Sequence, residues 1–541
     1  MPSTAGKGVM LHGVEDNTAL ITDTVQKLRR TFQSGKTRPY EFRKKQLEGL
    51  LKFLNENVDL LCDALWKDLH KPRQECIVTE IEITKNEILV ALANLKKWMS
   101  PKPTEKSLAT LADYPFIQHE PYGVVMIIGA WNYPVNLLLG PLVGAIGAGN
   151  CVLIKPSEVA ENLERTIYEM LPNYIDQDCY IGVCAGPEGT SAILKHKFDY
   201  IFYTGSTTVG KIVYEAAAKH LTPVTLELGG KSPVWVDETS DMTLAARRIM
   251  WGKLINAGQT CIAPDYVMCT AETQGELIKA MKTAVREFLG DNPGKSKDFC
   301  HIISTRQFDR LRKLLTGQNV AFGGDFDVDQ KYIAPTVLSN VGLYSEVMKS
   351  EIFGPILPIV PVGNADTAIR FVNEGEKPLA LYVFSKDDRV SERFLKETTS
   401  GGACINDTIM HIAAESLPFG GVGASGTGAY HGFYSFETFS HKRAVLWKKH
   451  GWDFLFAMRY PPYSDFKTNG LAFLMRYRRP LPAWLNKLVI FGLGLATGYA
   501  ARVITSRIFR ITFIGKLLYR LFKFLVPGQP THSLTAPAGP Q

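Results

Sequence analysis

Between Pro121 and His220 the chain alternates short apolar runs with amphipathic stretches, and this alternation narrows the available folds more than any other feature. The runs "GVVMIIGAW", "CVLIKP", "YIGVCAG" and "YIFYTGS" are continuous rather than alternating, as expected of strands buried on both faces of a parallel sheet. Between them, "ENLERTIYEMLPNYI" and "TTVGKIVYEAAAKH" read as helices, and "LLLGPLVGAIGAGN" is a glycine-spaced stretch. Strands alternating with helices predict an α/β fold with a mainly parallel sheet, whose ligands bind beyond the carboxyl ends of the strands.

A second α/β region is expected from "KSPVWVD" through "YIAPTVL" and "LPIVPV" to "GGACIND". Ahead of both, apolar residues from Phe42 to Leu65 keep helical spacing. A further helix is predicted from about Val78 to Trp98, ending at the prolines of "SPKP". The stretch "PFGGVGASGTGAYHG", Pro418 to Gly432, is too rich in glycine for an element interior and too aromatic for a flexible linker, so an ordered loop is expected.

Charge separates the end of the chain from the rest. The 541 residues carry 61 Lys and Arg against 53 Asp and Glu. Ten of the basic residues and none of the acidic ones follow Leu471, which leaves residues 1 to 470 at −2. A nearly neutral body gives no basic face for nucleic acid. Nine cysteines, odd in number and with no CxxC pair, indicate neither a zinc site nor a disulfide framework, and no metal is expected. The N-terminal stretch has no apolar signal core, so a reducing, cytosol-facing body is the expectation.

Five motifs carry candidate chemistry, each with an ordinary alternative. In "YTGSTTVG", Gly205 and Ser206 end a strand and open a helix, where free N–H groups suit a pyrophosphate, or the serine simply caps the helix. In "KPSE", Lys155 and Glu158 could bind ribose hydroxyls or form a solvated pair. In "LELGGKSP", Glu227 between leucines would have the raised pKa of a general base, or would face water at a strand end. In "WNYP", Asn132 could donate to an oxyanion or close an Asx-turn. Cys261 of "NAGQTCIAP" could be a packed thiol or a nucleophile.

Taken in chain order, "WNYP", "KPSE", "YTGSTTVG", "LELGGKSP", "NAGQTCIAPDY", "SEIFGP" and "PFGGVGASGTGAYHG" resemble the aldehyde dehydrogenase superfamily, class 3, and within it the fatty aldehyde dehydrogenases, over roughly residues 20 to 450. The resemblance implies a Rossmann-type domain with an α/β catalytic domain and oxidation of aldehydes to carboxylic acids. Cys261 would be the nucleophile, favoured as thiolate by nearby N–H groups, with Asn132 and the Cys261 N–H as oxyanion donors and Glu227 as base. Lys155 and Glu158 would hold the adenosine ribose, Gly205 and Ser206 the pyrophosphate, and Glu351 with Phe353 the nicotinamide ribose. An acidic ribose partner favours NAD, with NADP left open. Ala424 and Thr427 stand where many relatives carry Asn and Met, and an effect on substrate fit at most is expected.

The resemblance also implies a homodimer and a domain plan: 20–228 with 430–450 for cofactor binding and oligomerisation, 229–429 for catalysis, 451–480 as a connection near the site mouth, 481–526 as a membrane anchor, and 527–541 as a disordered tail. The anchor has support in the residues themselves. Leu488 to Ala501 is an apolar run of about 14 residues, short of the ~20 a span needs unless counted back to Leu481. Arg502, Arg507, Arg510, Lys516, Arg520 and Lys523 then fall on one arc of about 200°, a basic amphipathic pattern suited to an anionic membrane surface. Endoplasmic reticulum is the expected membrane, with lipid droplet and mitochondrial outer membrane as alternatives. Other activities compatible with the motifs are oxidation of aromatic or short-chain aldehydes, CoA acylation, which Glu227 disfavours, and a silent membrane scaffold.

Overall fold

Each apolar run becomes a strand. A computed structural model describes residues 9–10, 18–110, 113–448, 450 and 457–476. The chain divides into two units, Met1–Thr104 with Pro115–Leu446, and Glu105–Tyr114 with Trp447–Gln541.

In the larger unit, the first seven-stranded sheet runs in the order Val9–Met10, Tyr180–Cys184, Cys151–Lys155, Val124–Ile128, Tyr200–Thr204, Val224–Glu227, Gly426–Thr427. All neighbours are parallel except the last pair, where Gly426–Thr427 runs antiparallel to Val224–Glu227. The chain moves outward from Val124–Ile128 to one side and returns to pair on its other side with Tyr200–Thr204, so the topological switch lies between these two strands. Every residue of Val124–Ile128, Cys151–Lys155 and Tyr200–Thr204 is buried, and each Val, Ile, Leu or Met there contributes about 1.5–3 kcal/mol by burial. Asp199 anchors the edge of this core, accepting from the Val124 N–H at 2.8 Å and pairing with Arg29 at 3.0 Å.

The glycine-spaced stretch is a helix, Asn136–Ala148, buried at every position. Both helical stretches form, each with an interruption that the spacing does not show. The 40–70 stretch is two helices, Tyr40–Glu56 and Val58–Leu69, broken at Asn57. The one predicted from Val78 begins as a π-helical turn, Ile77–Glu82, before the α-helix Ile83–Trp98. Periodicity cannot show a π turn, because its extra residue per turn is set by what it packs against.

The second seven-stranded sheet has the order Val320–Phe322, Thr336–Leu338, Ile356–Pro361, Tyr266–Cys269, Pro233–Val236, Ala380–Phe384, Gly402–Ile405. It is parallel apart from the Val320–Phe322 pair. The Pro418–Gly432 segment is ordered as expected and supplies the strand that closes the edge of the first sheet.

In the smaller unit a short turn, Leu108–Thr110, and a helix, Asp465–Met475, are described, the latter capped by the Ser464 hydroxyl. Lys448 pairs with Asp113 at 2.7 Å. Among the described residues no helix is long and apolar enough to cross a membrane. The anchor expected over 481–526 and the tail beyond it lie outside the described residues.

Candidate active site

Asn132 follows the strand Val124–Ile128, Lys155 ends Cys151–Lys155, Gly205 and Ser206 follow Tyr200–Thr204, and Glu227 ends Val224–Glu227. All five stand at carboxyl ends, on the side of a parallel sheet where ligands bind. Cys261 lies just ahead of Tyr266–Cys269, and Glu351 with Phe353 just ahead of Ile356–Pro361.

The segment that presents Cys261 is strained. Asn256 and Ala257 have φ of +53° and +51°, followed by Gly258 at +73°. For a residue with a Cβ this conformation costs about 1–2 kcal/mol, so surrounding contacts must hold it. Asn256 donates its N–H to Glu75 Oε2 at 2.9 Å and its side-chain amide to the Asn132 carbonyl at 2.8 Å. Gln259 donates to the carbonyls of Asn256 and His301, both at 3.0 Å, and accepts from the Ile303 N–H at 3.0 Å. Gly258 is obligatory on a second count, since a Cβ there would run into the Gly354 carbonyl. The motif supplied Asn256 and Gln259 in plain view; their bracing role depends on φ angles that no spacing rule gives.

Asn132 joins the same network. Its amide donates to the Gln259 carbonyl at 3.1 Å, and a primary amide carries a second N–H for another acceptor. The Asx-turn alternative is not what the amide does here. Tyr133 OH shares a hydrogen bond of 2.7 Å with Thr260.

The electrostatics depart from expectation at the thiol. Burial pushes Cys261 up to about 12, and the Glu351 and Glu227 carboxylates push in the same direction. Its own N–H and that of Ile262 pull it down, as expected, but they are outweighed. Glu227 is 3% exposed and neither carboxyl oxygen has a hydrogen-bond partner among the described residues. Burial lifts its pKa well above the carboxylate range, so the water-facing alternative is excluded. Burial first, then the Asp265 charge, raises Glu351 to about 8, while the Gly230 N–H lowers it. Lys253, eight positions before Cys261 and unnoticed in the sequence, is buried without a hydrogen-bond partner among the described residues, and burial lowers it to about 8.

The cofactor candidates divide. Lys155 Nζ lies 2.5 Å from Glu158 Oε2, and with Lys155 itself buried the two are not a freely solvated pair. Ser206 caps the helix Thr207–Ala218, its hydroxyl accepting from Val209 N–H at 3.4 Å, so the ordinary reading of that motif holds. Gly205 has no room for a Cβ against the Tyr203 hydroxyl. Glu351 lies against Gly229, where the missing side chain makes the space it occupies. Phe353 is held at φ +53° with its ring edge-on to Trp131 at 5.4 Å. A cleft of about 710 Å³ runs past Thr207, Gly229, Gly230 and Glu351, and Ala424 and Thr427 line it too. A helix start, paired glycines and an acidic group line this one cleft, a combination that suits a dinucleotide, whereas Lys155, Glu158, Gly205, Ser206 and Cys261 are not among its lining residues.

Residues 5–445 match the aldehyde dehydrogenase family. The chain is 54% identical over 453 residues to the human protein "Aldehyde dehydrogenase family 3 member B1", covering 84% of this chain and 97% of the relative. It is 51% identical over 451 residues to the rat "Aldehyde dehydrogenase family 3 member A2", covering 83% and 93%. Among solved structures, "Substrate bound state of Staphylococcus Aureus AldH" superposes with a TM-score of 0.81 at 42% identity, over 84% of this chain and 99% of the other. A Sinorhizobium meliloti structure described as an NAD-dependent aldehyde dehydrogenase shares the fold, with a TM-score of 0.73 at 24% identity over 80% and 88%. With its class 3 relatives and its paired sheets, the chain belongs to the aldehyde dehydrogenase family and is an oxidoreductase that acts on aldehydes with a nicotinamide dinucleotide.

Proposed function

We propose that the chain oxidises medium- to long-chain fatty aldehydes with NAD, and that Cys261, Glu227 and Asn132 carry the reaction. The observation that carries the residue roles is the junction of the two sheets, where a half-buried thiol feels two carboxylates, one of them sealed from solvent and unpartnered. Cys261 loses its proton to solvent water and Sγ attacks the aldehyde carbon. The oxygen gathers charge and accepts from the free N–H of the Asn132 amide and from the Cys261 backbone. The bound nicotinamide would supply hydride acceptance. The acyl group is then a thioester on Sγ. Glu227, once deprotonated, takes a proton from water; the hydroxyl adds to the thioester carbon, the C–S bond breaks, and the carboxylic acid leaves as the thiol is restored.

For the cofactor, Lys155 and Glu158 would engage the adenosine ribose, Gly205 and Ser206 the pyrophosphate, and Glu351 and Phe353 the nicotinamide ribose. The Glu158 carboxylate would repel a 2′-phosphate, which favours NAD over NADP. The preference for lipid aldehydes rests on the sequence beyond residue 470, whose apolar run and basic helix pattern would keep the enzyme on a cytosol-facing membrane. A homodimer divided as residues 20–228 with 430–450 and 229–429 is part of the same reading. The test follows reduced-cofactor formation from hexadecanal and benzaldehyde, with NAD and NADP, for the natural chain and Cys261→Ala. Hexadecanal turnover with NAD that vanishes in the variant is expected. Preferred benzaldehyde would remove the lipid reading, and turnover surviving in Cys261→Ala would remove the nucleophile.

A further inference from the structure

Behind the groups that face the reacting atoms stands an ion pair with no exposed surface. Lys71 Nζ lies 2.6 Å from Glu80 Oε1, and both side chains are completely buried. Taking two charges out of water is costly unless further hydrogen bonds satisfy what remains. Here every such bond goes to one segment. Lys71 donates to the Asn132 carbonyl at 3.0 Å and stands over the Tyr133 ring, 4.2 Å from its centre. The second Glu80 oxygen accepts from the N–H groups of Val135 and Asn136 at 3.1 and 3.0 Å, at the start of the buried helix Asn136–Ala148. Residues 132 to 136 are therefore gripped from both ends. Glu80 reaches them from the π-helical turn Ile77–Glu82, a distortion that often accompanies functional sites.

The gripped segment carries the oxyanion candidate. The Asn132 carbonyl receives Lys71 and the Asn256 amide together, while its own amide holds the Gln259 carbonyl, two residues before Cys261. The peptide plane of Asn132 and the strained turn of the nucleophile segment are thus bonded directly to each other, and Lys71 holds the Asn132 side of that link. A well-packed apolar pair would serve stability as well as this ion pair does. Its particular hydrogen bonds, all directed at 132–136, are what stability alone does not account for.

We propose that Lys71 and Glu80 are positioning residues that hold the Asn132 amide in register with Cys261, so that the oxyanion meets its donor without rearrangement. This rests on the roles given above to Asn132 and Cys261. The double variant Lys71→Met/Glu80→Gln tests it, since Met fills the lysine's volume without a donor and Gln keeps an oxygen for Val135 and Asn136. Rates are expressed per active site titrated with an irreversible thiol reagent, and NAD affinity and melting temperature are measured alongside. The expected result is a folded protein with unchanged NAD affinity whose aldehyde kcat/KM and acylation burst rate fall about 10- to 100-fold. A role in folding alone would lower the number of titratable sites and leave the rate per site intact. Per-site rates within twofold of the natural chain would overturn the proposal. So would a double variant that does not fold, because the pair would then belong to the fold's stability. If the natural chain itself turns over no aldehyde, the underlying reading fails instead.

Discussion

The resting thiol is the residue that most needs explanation, because burial and two carboxylates hold it at about 12, far above neutral pH. Of those carboxylates, Glu351 sits at about 8 and is ionised only above that pH. Glu351→Gln removes a negative charge, so above pH 8 the Cys261 thiol should ionise more readily. Iodoacetamide should alkylate it about three- to tenfold faster at pH 9, one pKa unit being a tenfold change in thiolate. Equal rates in the two proteins would mean that Glu351 does not act on the sulfur.

Glu227 works in the opposite sense: the base role proposed for it requires the loss of its proton, and its pKa lies well above the carboxylate range. The steady-state rate should therefore keep rising with pH beyond 6 instead of levelling near the ordinary carboxyl value. Glu227→Gln should leave a burst of one reduced cofactor per site and lower the steady state about 100-fold or more. Linkage gives a second readout. A folded pKa above the unfolded one stabilises below about 4.5 and loses that contribution as pH rises toward the folded value. The melting temperature of Glu227→Gln relative to the natural chain should accordingly improve from pH 5 to pH 9; a flat difference would contradict the burial argument.

Elements were legible in the sequence where one physical signal dominates. Four apolar runs became the inner strands of the first sheet because a strand covered on both faces leaves no room for polar residues. The strands Tyr266–Cys269 and Ala380–Phe384 carry the same signal yet were not singled out. The break at Asn57, the π turn and the left-handed nucleophile segment were illegible because tertiary hydrogen bonds set them, above all those of Glu80, Glu75 and Gln259. The candidates Cys261, Glu227 and Asn132 stand out by their motifs, whereas Lys71 sits in a short link between helices and Glu80 and Lys253 lie in stretches that look like ordinary helix. Two glycines test how firmly the nucleophile segment is held. Gly258→Ala would drive a Cβ into the Gly354 carbonyl, which is backbone and cannot swing away. Activity should fall about 100-fold and stability by about 1–3 kcal/mol. Gly275→Ala, in the helix Ala271–Leu289 with open space around the new Cβ, should instead raise stability by up to about 1 kcal/mol and leave activity unchanged. Thermal melts and aldehyde kcat/KM on both proteins decide it.

For the whole molecule, the uneven charge is the feature that catalysis does not require. The ten basic and no acidic residues after Leu471 sit beside a body of net −2, so the body alone has no reason to seek an anionic surface. A chain ending at residue 475, which keeps the net charge of −2, should remain in the supernatant with anionic vesicles and oxidise benzaldehyde as the full chain does, while the full chain pellets. Salt then separates two modes of attachment. Contacts between exposed lysines or arginines and lipid headgroups are screened within about 3 Å at 1 M salt. A basic helix lying in the interface should therefore be partly released by a 1 M salt wash, while a buried apolar span resists it and yields only to detergent. Because Leu488–Ala501 falls short of a full span, partial release by salt is the expected outcome. Full pelleting of the shortened chain would move the attachment to the body, and the argument from charge would fall with it.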